Sequence, residues 1–259
     1  MKLTFIGVEG IPMVEPGDDL VALIDDALAA TGDQLLADDV IVIAQKIISK
    51  AEDRYLDLRT VTPSEEAIRL GKEVDKDPRK VQAILDESNE VVRQRPGVLI
   101  VEQRSGFVQA NAGIDQSNIR LGDGDPDDLC LLLPLDSDAS AQRLRATIRE
   151  RHNLEVGIII NDSLGRAWRM GTLGLSIGVA GFTALEDYVG GHDIFGRELR
   201  VTQVAAADEM AAGASLVMGQ TTEKTPVVVV RGYQPREPQE AHQKGVQPLI
   251  RPKEMDMFR

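Results

Sequence analysis

The sequence predicts a mixed α/β fold. Continuous apolar runs at 40–44, 156–160 and 226–230 suit strands buried on both faces. Stretches following Asp18-Asp19, and at 137–151 and 202–218, carry helical spacing or alanine-rich composition. The two kinds of segment alternate loosely along the chain, as mixed α/β chains do.

Each element has its own local signal. Residues 3–6 form a short first strand, followed by the turn-rich Gly10, Pro12, Pro16 and Gly17. Asp18 or Asp19 then caps a helix whose Leu20, Ile24, Ala27 and Leu28 share a face, and Gly32 ends it. The strand at 40–44 leads into QKIISKAEDR, read as a turn and helix start. Thr62-Pro63-Ser64-Glu65 reads as an N-cap, a proline at the first helical position and a capping box. Asp77-Pro78 opens the next helix, expected to reach about Gln94. Residues 98–102 and 107–109 form two strands around Ser105-Gly106, and 111–128 is a loop rich in Gly and Asp. A strand at 129–133 closes at Pro134, and a charged amphipathic helix runs from Ser137 to about Arg151. The apolar run to Ile160 breaks into a turn at Asn161-Asp162-Ser163, and a Gly-spaced apolar segment covers 173–180. A helix at 202–218, weakened at Gly213, precedes a last strand at 226–230. From Tyr233 onward Pro, Gln and Glu replace periodicity, so 233–259 reads as an extended or partly disordered tail.

Bulk properties exclude several classes. At 259 residues the chain can bury a sizeable core as one domain or two. Aromatic residues are only 3%, so that core must be aliphatic. The net charge of −13 argues against nucleic-acid binding, and means an anionic substrate needs local Arg, Lys or metal. A single cysteine, Cys130, excludes an internal disulfide and suits a reducing compartment. No apolar run approaches the ~20 residues that span a bilayer, and the first residues are too short in apolar length for a signal peptide. The expectation is a cytoplasmic protein with no membrane partner.

Several constellations can carry chemistry, each beside a plainer reading. Asp162-Ser163 at a strand end offers hard oxygen donors to Mg²⁺ or Mn²⁺, or is a self-satisfied Asx-turn. Asp115 in NAGIDQSN offers a second carboxylate, with Asn118 nearby, or is again a satisfied turn. Lys46 and Lys50 follow a buried strand where phosphate sites lie, though no P-loop is present; the plainer reading is two solvated lysines. Arg166 and Arg169 flank Trp168, read as a packing residue. The glycines of GTLGLSIGVAG suggest close backbone packing near a ligand or subunit. His192 lacks metal-ligand partners, His152 ends a helix where its charge suits the dipole, His242 lies in the tail, and Cys130 sits in an apolar strand. No Ser/His/Asp or Cys/His arrangement stands out. The residues alone leave open a metal-dependent enzyme that handles phosphates, or a non-catalytic nucleotide-binding module.

Taken in order, VEGIPMVEPGDDL, QKIISKAEDR, NAGIDQSN, VGIIINDSLGRAWRMGTLGLSIGVAG, DIFGRELRVTQVAAADEMAAGASLVMGQ and PVVVVRG form a series. That series resembles the coenzyme F420:L-glutamate ligase family over about 3–232. The resemblance implies a ligase domain at 1–232, divisible into two subdomains, of mixed α/β fold in an intertwined homodimer. It implies attachment of L-glutamate to the lactyl-phosphate carboxylate of coenzyme F420-0 at the expense of GTP, then a second, γ-linked glutamate, with GDP and phosphate released. Two divalent ions (Mg²⁺ or Mn²⁺) and K⁺ are implied. Motif by motif, Asp115, Asp162, Ser163 and Gln220 fall at metal-ligand positions, and Asp115, Asp162 and Lys50 form the catalytic set. Nucleotide-contacting positions fall on Ile11, Pro12, Met13, Val14, Gln45, Lys46, Lys50, Asn118, Met218, Gly219, Gln220, Thr221, Thr222, Glu223, Lys224 and Thr225. Three departures stand out. Asp53 replaces a frequent Gly, Asn161-Asp162-Ser163 replaces Thr/Ser-Asp-Thr, and Gln220 stands where some members carry Glu, a stronger ligand for a divalent ion.

Overall fold

The structure, a computed structural model, describes residues 2–120, 125–235 and 244–257. It is mixed α/β, with several sheets. A five-stranded sheet orders β1 (Thr4–Gly7), β12 (Val227–Arg231), β2 (Val40–Ala44), β8 (Gly157–Gly165) and β9 (Thr172–Ala180). Only β2 and β8 pair in parallel; the other neighbours are antiparallel. The central strands alternate between two cores. Ile41, Ile43, Ile158, Ile160, Val227 and Val229 face helices α1 (Leu20–Thr31) and α5 (Ser137–His152). Val40, Val42, Ile159, Val228 and Val230 face α6 (Ala206–Met218). Burial on both faces is why these strands read as unbroken apolar runs.

A third core lies apart from this sheet. Helices α3 (Glu65–Val74) and α4 (Pro78–Asp86) pack Leu70, Val74, Val81 and Ile84 against Leu99 and Val101 of the sheet β4 (Ser88–Arg95), β5 (Val98–Gln103), β6 (Val108–Ala110). Strands β3 (Tyr55–Asp57) and β7 (Leu129–Leu131) pair antiparallel, and Leu58 and Cys130 beside them are buried in this core. Helix α2 (Gln45–Ala51) links the two regions. A short pair, β10 (Glu186–Asp187) with β11 (Gln203–Val204), precedes α6. Among the described residues no helix is long and apolar enough to cross a membrane.

Local caps behave as the sequence directs at α1, where the Asp19 carboxylate accepts from Ala22 N and Gly32 closes the helix in the left-handed region. Other expectations need correction. At α3 the N-cap is Ser64, whose hydroxyl accepts from Ala67 N, so Pro63 precedes the helix rather than opening it. Helix α4 ends at Asp86, not near Gln94; after Glu87 the chain forms β4, because Pro96-Gly97 turns it so that β5 can pair back on β4. The last helix begins at Ala206, not 202. The Asp162 segment is not a turn. Strand β8 continues through it, with Asp162 opposite Leu175 and Ser163 opposite Gly174, since pairing with β9 overrides local turn propensity. Within the tail, residues 247–249 and 253–255 form 3₁₀ turns, and Val246 is buried against the α6 face.

The glycines of β9 allow close packing within the chain, and Gly174 packs on Asn161, a residue of the cavity wall described below. A Cβ on Gly174 would come 2.5 Å from Ala211 O on α6, and one on Gly178 would come 2.5 Å from Ser137 O at the start of α5. A register irregularity at Ile160/Asn161 lets residues of equal parity in β9 face opposite helices. Gly178→Ala is therefore expected to cost about 1–3 kcal/mol through overpacking, read as a lower midpoint in urea denaturation with unchanged slope.

Candidate active site

Strand direction builds the site. The carboxyl ends of β1, β2 and β8 and the amino end of β12 all lie at one edge of the sheet, because β12 runs antiparallel to both β1 and β2. Ala44 stands opposite Asn161 in the parallel pair. From there β2 passes directly into α2, presenting Gln45 and Lys46, while β8 continues as a strand, presenting Asp162 and Ser163. The loop from the end of α6 into β12 supplies a third wall, and the segment after β1 a fourth. Together they enclose a cavity of about 460 Å³ lined by residues 11–14, 44–47, Lys50, 118–120, 161–163 and 218–226.

Charge is organised around one carboxylate. Asp115 is held to β7 by paired backbone hydrogen bonds with Leu131, of 3.0 and 2.9 Å. Its Oδ2 accepts from Gln45 Nε2 at 2.9 Å and pairs with Lys46 Nζ at 2.9 Å. Ser49 Oγ donates to Gln45 Oε1 at 3.0 Å, which fixes the amide with its NH₂ toward Asp115. Asp115 does not itself line the cavity; it acts on the wall through Gln45 and Lys46. Asp162 does line it, and Ser163 N donates to its Oδ1 at 2.8 Å. Burial, and then the charge of Asp115, push the Asp162 carboxyl up to about 7, against the opposing pull of Lys46. Lys50 is buried, and that burial, followed by the Lys46 charge, lowers its pKa. Its Nζ donates to Asn118 O at 2.9 Å, and Asn118 Nδ2 donates to Thr221 O at 3.2 Å, tying three walls together.

The donors suit a hard cation. Asp162 and Asp115 carboxylates, the Ser163 hydroxyl and the Gln220 amide are all oxygen ligands, the set Mg²⁺ and Mn²⁺ prefer. A half-buried carboxyl raised by desolvation and by a neighbouring carboxylate is also the electrostatic signature of a place where added positive charge is favourable. Among the described residues, however, no three His, Cys, Asp or Glu side chains gather into a self-sufficient metal cage. Ligand oxygens would have to complete the coordination.

Every residue placed by sequence at the nucleotide positions lines this cavity. Of the expected metal ligands, Asp162, Ser163 and Gln220 line it and Asp115 stands behind the wall. Sequence reasoning missed Ala44, Ile47, Ile119, Arg120, Asn161 and Pro226. Arg120 had a legible signal, a cation two residues past Asn118 in the same loop. Lys50 is not a solvated lysine but a buried one. Trp168 does not pack into the core; it is 86% exposed at the tip of the β8–β9 hairpin, with Arg166 and Arg169 also exposed there. His192 is exposed in a separate loop, and His152 pairs with Asp25 at 2.9 Å. Cys130 is fully buried, its thiol pushed up to about 11, principally by burial. His242 lies outside the described residues.

Residues 10–232 match the F420-0:Gamma-glutamyl ligase family. The chain belongs to that family. It is 45% identical, over the full length of both chains, to the coenzyme F420:L-glutamate ligase of Methanothermobacter thermautotrophicus. It is 46% identical to that of Methanocaldococcus jannaschii, over 85% of this chain and 84% of the relative. The Methanopyrus kandleri protein of the same name is 40% identical over 99% of each chain.

The Asp162 carboxyl carries a stability signature in metal-free protein. Its folded pKa, about 7, lies above the ordinary value of 3.8. Between those values the folded state holds a proton that the unfolded state has released, so stability falls as pH rises through this window and the loss is complete above pH 7. Asp162→Asn has no proton to lose. Its melting temperature in chelator should exceed wild type at pH 8, and the two should converge at pH 4.

Proposed function

We propose that the protein is a cytoplasmic ligase that joins L-glutamate to the carboxylate of coenzyme F420-0, using GTP and releasing GDP and phosphate. The observation that carries this reading is the convergence, in one cavity at the end of a parallel strand pair, of two lysines with a carboxylate and a hydroxyl, in a chain of this family.

An amide cannot form from a free carboxylate and an amine in water without activation. Transfer of the γ-phosphoryl group to the carboxylate gives an acyl phosphate, with GDP leaving. The glutamate amine then attacks the acyl carbon, phosphate departs, and the amine sheds a proton. Such transfers rest on positioning and charge more than on covalent help from the protein. Lys46 and Lys50 offset phosphate charge at the cavity wall. Asp115 positions Lys46 and the Gln45 amide, acting through them. Asp162 and Ser163, with Asp115 close by, are the residues that would hold Mg²⁺ or Mn²⁺; when bound, such a cation supplies further positive charge to the transferring phosphoryl group. These local cations explain how a chain of net charge −13 can admit a polyanionic nucleotide. The second, γ-linked addition follows the same chemistry on the first product.

The homodimer belongs to the same reading. Trp168 and Met170 on the β8–β9 hairpin, and Ile194 and Phe195 in the loop after β10, are 86–96% exposed. Large apolar side chains held this far into solvent on two loops are consistent with contact surfaces for a second copy. In sedimentation the protein should run as a dimer, and Phe195→Asp should shift it toward monomer.

Incubating the protein with F420-0, GTP, Mn²⁺ and L-glutamate should add glutamyl mass to the deazaflavin with matching GDP release. Absence of any mass gain would overturn the proposal. Asp162→Asn and Lys46→Ala should each lower kcat about 100-fold or more, the scale of losing one aligned charge at a reacting centre, with the fold retained by circular dichroism.

A further inference from the structure

One acidic group in the cavity is left unused by this mechanism. Asp162 and Glu223 are the two carboxylates among the lining residues. Asp162 sits beside Asp115 and Lys46. Glu223 comes from a different segment, the loop between α6 and β12, and its carboxylate accepts hydrogen bonds from Thr221 of that same loop. A carboxylate in a cavity for a polyanion is unfavourable unless it meets donors on the ligand.

Glu223 is also built into place. Its Oε2 accepts from Thr221 N at 2.7 Å and both its oxygens accept from Thr221 Oγ1, at 3.2 and 3.3 Å. The side chain folds back over Gly219, occupying the space a Cβ there would need; the carboxylate carbon would lie 2.2 Å from it. Gly219 has φ +71, which further favours glycine. Thr221 O in turn accepts from Asn118 Nδ2, anchoring the loop to the wall that holds Lys50. The carboxylate is thus ionised and fixed, with remaining lone pairs exposed to the cavity.

We propose that Glu223 selects guanine, its two oxygens accepting from N1–H and the 2-amino group of the base. This rests on the reading of the cavity as a GTP site. Guanine carries two adjacent donors on one edge, which a carboxylate matches in parallel; adenine presents an acceptor at N1 and no 2-amino group. The ribose diol and a metal ion are the competing targets for a carboxylate here, and nucleotide analogues separate them.

The test is nucleotide binding to the full chain by calorimetry with Mg²⁺, wild type beside Glu223→Gln. Wild type should bind GTP about 10- to 100-fold more tightly than ITP, which lacks the 2-amino group, a loss typical of an unpaired buried hydrogen-bonding group. It should bind dGTP as well as GTP. Glu223→Gln should lose affinity for GTP by a similar factor and gain on XTP, whose C2 carbonyl accepts from the amide NH₂ while N1–H still donates to its oxygen. Equal binding of GTP and ITP by wild type overturns the proposal without any variant. So does a loss confined to dGTP, which would put Glu223 on the ribose, or a Glu223→Gln defect rescued by raising Mn²⁺, which would make it a metal ligand. If wild type binds GTP no better than ATP or not at all, the GTP reading itself fails.

Discussion

The parallel pairing of β2 with β8 is the constraint on which the rest depends. Both strands are buried on both faces between helical layers, so neither can slide by one residue without turning its apolar side chains into the wrong core. The register Ala44↔Asn161 therefore fixes where the chain leaves the sheet. Two different exits from that point, a helix after β2 and a continued strand after β8, put Lys46 and Asp162 in the lining of one cavity.

Electrostatics then follow from the geometry. Asp115 comes from beside the third core, carried on the β3–β7 edge, and reaches the sheet through Gln45 and Lys46. Its charge is felt by Asp162, whose carboxyl is pushed up to about 7 chiefly by burial and then by this neighbour. A cluster of two carboxylates and two lysines, one of them buried, is costly to assemble without a ligand. On the proposed reading a phosphate chain and cations would share the space and offset that cost, tying the stability of the site to its occupancy.

The small residues of β9 are read from sequence as a close-packing motif, and the tertiary structure supplies the helices they pack on. Gly174 and Gly178 bring the sheet against α6 and α5 of the same chain, and so set the height at which the end of α6 delivers the loop from Gly219 to Pro226 into the cavity. The hairpin beyond them carries Trp168 outward, where an aromatic next to two arginines faces solvent in a single chain.

The sequence by itself determined the strand at 40–44 and a last strand at 226–230, one residue off the observed Val227–Arg231, since burial on both faces needs an unbroken apolar run, and the limits of α1, since Asp19 and Gly32 satisfy helix ends with their own atoms. It also determined the chemistry available to the site, because donor types are properties of residues. Only tertiary structure decided that Asp162 lies in a strand, that α4 stops at Asp86, and that Asp115 meets Lys46. In each case the deciding force is pairing with a distant segment: β9 for Asp162, β5 for β4, and α2 for Asp115. Propensity acts over a few residues, whereas register and packing act across the chain, and it is register that turns separate polar motifs into one cavity.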